Sequence, residues 1–196
     1  MTKLKPMVRA ALVWATAATV PMLGSTAAAK DKTVLFLDCF AVQMDGGRTG
    51  TIEVGIERWS SPDELETLKT VLIEQGPEKL LEAVQKLKPR AGFIRTPGTL
   101  GWDVHYARRT PLPGGGTKVV FVTDRPIGFL EARHAGRSMD YQFQMAEIRL
   151  NQDGGMKGSG TYVGAAKVTY DKEKNEIEIE NWGTEPVRLT RVQVRE

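Results

Sequence analysis

The side chains best placed to do chemistry together are Asp103 and His105, two residues apart in the stretch RTPGTLGWDVHYARR from Arg95 to Arg109. On a β-strand, residues at that spacing share a face, with side chains rooted roughly 7 Å apart. A carboxylate there can orient an imidazole for acid–base work, or share a metal ion with it. Hydrolysis by such a pair needs a third group, for which Asp124 and Arg95 are the candidates, together with a nucleophile or an activated water. The chain has two histidines, His105 and His134, which excludes a three-histidine zinc centre; a mixed site would need Asp103 or Asp140 to converge on both. No metal and no cofactor is assigned on this basis. The plainer reading is a strand that turns Trp102, Val104 and Tyr106 to the core and Asp103, His105 and Arg109 to water.

Other sequences that carry chemistry are missing. The chain has no G-x-S-x-G elbow, no Walker loop, no H-E-x-x-H helix and no paired C-x-x-C. PGGG, from Pro113, precedes a strand rather than a helix, so it reads as a hairpin loop and not a phosphate cradle. TDRP, from Thr123, could pair Asp124 with Arg125 or Arg95 at a strand end as a structural pin. Cys39, the single cysteine, lies in an apolar run, which predicts a buried and inert thiol and forbids an intramolecular disulfide. Trp59, Trp102, Trp182, Tyr141 and Tyr162 are core aromatics, or line a pocket if a barrel is open.

The elements that must position these residues begin after a segment of different character. Lys3, Lys5 and Arg9 precede an apolar stretch from Ala10 to Leu23, and small residues follow to Ala29. This is the plan of a secretory signal peptide over residues 1–29, cleaved after Ala29, with the mature protein periplasmic or secreted. The apolar stretch is shorter than the roughly 18 to 20 residues a spanning helix needs, so no transmembrane segment is expected after cleavage. Removing it takes away three basic residues of 27, leaving 24 against 24 acidic ones. The net charge of +3 therefore belongs to the targeting segment, and with it goes any argument for nucleic acid as partner.

Residues 30–196 read as a single β-rich domain. TVLFLDCFAVQM is apolar on both alternating sets, with Asp38 the odd member, and pairs through DGGRTG with TIEVGIERW, whose Ile52, Val54 and Ile56 point in and Glu53 and Glu57 out. A helical hairpin follows over 61–88. Ser61 caps the first helix, with Pro62 at its first position, Glu64 completing a capping box and Gly76 ending it. Leu65, Leu68 and Leu72, and then Leu80, Leu81, Val84 and Leu87, form stripes to lay on a sheet. Strand spacing returns at FIRT, GWDVHYARR and the doubly apolar TKVVFVTD, and RPIGFLEARHAGR reads as a lid or edge cover. The rest reads as a meander, with a bulge near Ala146 or Glu147, and with GTEP as a turn that sets Ile177 against Val192 and Glu178 against Arg191. The fold class is mainly β, an antiparallel meander of eight or nine strands forming a lipocalin-like barrel or a two-sheet sandwich.

At TIEVGIERWSSPDE, GFIRTPGTLGWDVHYAR, VTDRPIGF and RSMDYQF, and so over most of the mature chain, the sequence resembles an uncharacterised family of exported bacterial β-rich proteins. The resemblance implies export and a β-rich fold, and lends no activity, cofactor or catalytic residue. The functional expectation is a non-catalytic domain that binds a small apolar ligand or an envelope partner through a barrel mouth edged by residues 95–109 and 124–137. Arg95, Trp102, Tyr106, Arg125 and Tyr141 are the candidate ligand-binding residues. A hydrolase using Asp103 and His105, and a structural envelope protein without a pocket, are the alternatives.

Overall fold

The computed structural model describes residues 33–43, 47–125, 139–151, 158–182 and 185–195. The segment 1–29 expected to be a targeting peptide, His134 and most of the expected lid lie outside them. The strands are β1 (Leu35–Gln43), β2 (Arg48–Ile56), β3 (Gly92–Arg95), β4 (Trp102–Val104), β5 (Tyr106–Pro111), β6 (Thr117–Asp124), β7 (Phe143–Leu150), β8 (Gly158–Asp171), β9 (Glu176–Asn181) and β10 (Val187–Val194). Helices α1 (Pro62–Gln75) and α2 (Pro77–Lys86) come between β2 and β3. No helix among the described residues is long and apolar enough to cross a membrane.

All pairings are antiparallel, in the order β4-β3-β2-β1-β10-β8-β7-β6-β5, with β9 beside β8. The two ends of this order, β4 and β5, follow each other in the chain with His105 alone between them. The stretch 102–111 is thus one stave whose first half pairs with β3 and whose second half pairs with β6, and it brings the sheet round into a nearly closed barrel. The seam is stitched at its midpoint. The His105 N–H donates to the Val122 carbonyl at 3.1 Å, and the buried Thr123 hydroxyl donates to the Asp103 carbonyl.

A second stave is broken in the same way. The register sets β9 against Ala166–Asp171 and β10 against Gly158–Tyr162, both along one edge of β8, and the Trp182 N–H donates to the Ala165 carbonyl at 2.9 Å between them. β9 and β10 therefore run in one direction along β8 and do not form the expected hairpin; Gly183 and Thr184 of GTEP lie outside the described residues. The expected pairing of Ile177 with Val192 does not form: Ile177 lies opposite Tyr170. The bulge also moves. β7 keeps strict alternation, with Ala146 and Ile148 in the barrel core and Phe143 and Met145 against the helices, while the extra residue falls on β8 between Val163 and Ala166. Both parities of β7 are apolar because both of its faces are covered, which is why its pattern looked like a change of face.

Inside, Leu37, Val54, Ile56, Val104, Phe121, Ile148 and Leu189 are almost fully buried in one cluster that draws on strands all round the barrel. Burial of each such side chain is worth about 1.5–3 kcal/mol. Gly160 makes the tight approach of β8 to β7, since a Cβ there would lie 2.5 Å from the Glu147 carbonyl oxygen. Outside, the barrel is covered by two different means. Over β5–β8 lie α1 and α2, whose Leu68, Leu72, Leu80 and Val84 pack on Tyr106, Phe143, Ala166 and Val168. Ser61 and Glu64 form the capping box, and Arg58 grips Glu64 with two bonds of 2.9 Å while donating to the Pro89 carbonyl, tying the start of the hairpin to its end.

Over β1–β3 the cover is arginine. Arg195 lies 4.3 Å from the centre of the Phe36 ring, Arg95 5.0 Å from that of Phe93, and Arg191 5.7 Å from that of Phe40. Gly55 leaves the space into which the Phe93 ring folds, because a Cβ there would fall 2.4 Å from the ring. The guanidiniums are held in turn by acids. Arg195 reaches Asp38 at 2.6 Å and Glu53 at 2.9 Å, and Arg95 reaches Glu53 at 2.7 Å. Hydrogen bonds from Arg195 and Arg95 hold the Glu53 carboxyl below its ordinary range. Asp38, the odd member of β1, is thus an anchor for the outer cover.

Thr123→Val keeps the side-chain shape and removes the hydroxyl that crosses the seam. It is expected to lower the unfolding free energy by about 1–2 kcal/mol, read from urea denaturation midpoints; an unchanged midpoint would show that the seam does not depend on this bond.

Candidate functional site

Val104 points into the barrel, Tyr106 lies under the helices and Ala107 points in again. Between Val104 and Ala107 there is one residue more than alternation allows, so the stave bulges at His105. This separates the pair expected to act together. Asp103 is half-exposed and is held by Arg90 at 2.7 Å, whose other nitrogens grip Glu57 at 2.7 and 2.9 Å. His105 is buried, and its Nε2 lies 3.2 Å from Oδ1 of Asp124 at the end of β6. Nor do Trp102, Val104 and Tyr106 form one core face: Trp102 is 46% exposed, Val104 is in the barrel and Tyr106 is outside it.

Asp124 is the centre of this small group. Its Oδ2 accepts from Gln85 of α2 at 3.1 Å, and its Oδ1 accepts from His105 and from the Thr123 hydroxyl, each at 3.2 Å. Partial burial pushes the Asp124 carboxyl upward, but the hydrogen bonds from Gln85, His105 and Thr123 outweigh it, and the group sits below its ordinary value. The arrangement fixes the imidazole and fastens α2 to the barrel seam. Among the described residues Asp124 is the only side chain bonded to His105, and no group of three or more His, Cys, Asp or Glu side chains converges as metal ligands. Cys39 is buried in the barrel core, where burial and then the charge of Asp38 push its thiol up to about 12.

The residues expected to bind ligand divide among separate places. Arg95 is bound to Glu53 on the outer wall, and Trp102 opens β4 opposite Ile94. Arg125 donates from Nε to the Tyr141 carbonyl at 2.6 Å. Tyr141 is buried, its hydroxyl bonded to Glu180 and its ring edge-on to Trp182 at 5.1 Å. Of the five, Tyr106 lines a cavity. That cavity, of about 330 Å³, lies outside the barrel, between the helical hairpin and the wall made by β5–β9.

Leu65, Leu68 and Leu72 form the helical side of the cavity; Tyr106, Val122 and Met145 form its floor, and Ile177 and Ile179 of β9 stand at its edge, about half-exposed. Four polar residues complete it: Lys69 on α1, Arg108 and Thr110 on β5, and Lys118 on β6. The registers Tyr106↔Val122, Arg108↔Val120 and Thr110↔Lys118 set these side chains in rows, apolar first and basic last, toward the β5–β6 turn. These polar residues were missed by the sequence reading. The available signal was the pairing of two strands, each apolar on the outward parity at one end and basic at the other, with a leucine stripe that needed such a face.

A group whose folded pKa is lowered adds stability above its unfolded value, and that stability is lost as pH falls through the folded value. For Asp124 the window opens near its reference value of 3.8 and extends downward. Asp124→Asn is expected to remove part of the acid-side slope in unfolding free energy measured by urea titration across pH 2–6. Equal slopes in the two proteins would mean that Gln85 and His105 do not hold the carboxylate in solution.

No family model matches the chain, and neither does any curated protein or solved structure.

Proposed function

We propose that this is a non-catalytic binding domain of the periplasm or the secreted space, and that it holds a small apolar ligand between the helical hairpin and the outer wall of the barrel. The single observation that carries the reading is the cavity of about 330 Å³ beneath α1, with a largely apolar lining and a few polar groups at one end. That size and composition are those of small-molecule sites, which run from roughly 300 to 1,000 Å³ and use few polar groups to orient what they hold. The location also fits the energetics. Helix and wall each present an apolar surface that costs free energy when wet, and an apolar guest removes that cost without rearranging the barrel. Export rests on the basic, apolar and small-residue plan of residues 1–29.

The test is titration of residues 30–196 with a neutral fluorophore, N-phenyl-1-naphthylamine. Saturable enhancement with one site per chain is expected. Val120→Trp, which puts an indole into the cavity from its floor, is expected to weaken binding at least tenfold while circular dichroism shows the fold retained. Non-saturable enhancement, or a folded Val120→Trp protein that binds as the parent does, would dismiss this site.

A further inference from the structure

The charged members of the cavity lining are all of one sign: Lys69, Arg108 and Lys118, with no aspartate or glutamate. Two of the three have acids nearby outside the lining. Lys69 pairs with Glu66 at 2.8 Å, and Lys118 lies 3.8 Å from Glu147, a carboxylate already bound by Arg149 at 2.9 Å. Arg108 is exposed and makes no ion pair among the described residues, and its side chain lies within hydrogen-bonding reach of the Tyr106 hydroxyl at the rim of the floor. It stands on β5 one row from Thr110 and Lys118, so three donors of different reach gather where the apolar floor ends. An arginine presents a planar fork that fits a carboxylate with two parallel bonds, and it keeps its charge at any working pH.

We infer that the cavity selects a single-chain amphipathic anion, a free long-chain carboxylate, with its alkyl chain along Tyr106, Val122 and Met145 and its head group at Arg108, Thr110 and Lys118. This rests on the binding role proposed above and adds to it the class and the orientation of the ligand. The volume of about 330 Å³ is at the small end for ligand sites, which suits one chain and not a two-chain lipid. The order of the rows gives the direction: the apolar end lies under α2 and β9, and the basic end opens beside the β5–β6 turn, where a head group remains in contact with water.

The experiment is competition of dodecanoate, dodecanol and dodecyltrimethylammonium for bound N-phenyl-1-naphthylamine, below the micelle concentration of each. Dodecanoate is expected to compete at least tenfold more tightly than dodecanol and more tightly still than the cation. The carboxylate-to-alcohol ratio is expected to fall below threefold in Arg108→Gln and to shrink as salt is raised. Equal affinity for all three amphiphiles, or an unchanged ratio in Arg108→Gln, would overturn the assignment of the head group and leave the apolar site standing. Failure of every amphiphile to displace the bound fluorophore would overturn the inference and leave the binding role standing, whereas failure of the fluorophore itself to bind would overturn the binding role. Sedimentation with phosphatidylglycerol vesicles by a protein that ignores free dodecanoate would assign the basic row to a membrane surface and overturn the inference.

Discussion

Everything in this protein is hung on one stave that has to satisfy two neighbours. Residues 102–104 complete the ladder of β3, residues 106–111 complete that of β6, and His105 is the single residue between the two allegiances. A closed sheet has no edge to leave unpaired, which is the strongest reason for a small β-protein to close. The bulge that allows closure also turns Tyr106 outward, beneath the helices. Seam and cavity are therefore products of the same extra residue. The Asp124 cluster, with Gln85 reaching down from α2, secures the helical cover at the place where the stave changes partner.

The cover itself shows how one barrel can meet two kinds of surroundings. On one side the outward residues are valine, methionine and tyrosine and need a helical hairpin; on the other they are phenylalanines and need only guanidiniums held by Asp38, Glu53 and Glu57. Each cation–π contact is modest at an exposed site, and the ion pairs around it fix its geometry. The helical side is the one with space beneath it. Two helices resting on a twisted wall cannot follow it everywhere, and the gap falls where β5 and β6 turn basic.

Local signals in the sequence were legible where they are decided locally. The Ser61–Glu64 capping box, Pro62, Gly76 and the leucine stripes placed the hairpin, and the clean alternation of Ile52, Val54 and Ile56 placed β2. Runs apolar on both parities, such as TKVVFVTD, announced strands covered twice. What could not be read was decided at a distance. GTEP has the composition of a turn, yet β9 and β10 do not pair with each other, because β8 offers one continuous edge to both. Asp103 and His105 keep strand spacing in sequence, but the demand for closure places a bulge between their neighbours, and of the two third groups the sequence offers, Arg95 and Asp124, it is Asp124, nineteen positions on from His105, that meets the histidine.

The position of β10 has a consequence for the order in which the chain can fold. It lies between β1 and β8, bonded to both, and it follows the other nine described strands in chain order. Until Val187–Val194 is available, β1 has an open edge and the sheet cannot come round, however well the hairpins before it have formed. Pairing β1 with β10 spans nearly the whole of the described chain, and contacts of that separation form slowly because the loop they close is long. A chain that has not yet made Val187–Val194 remains an open sheet, and pairing of that strand with β1 and β8 brings the barrel round.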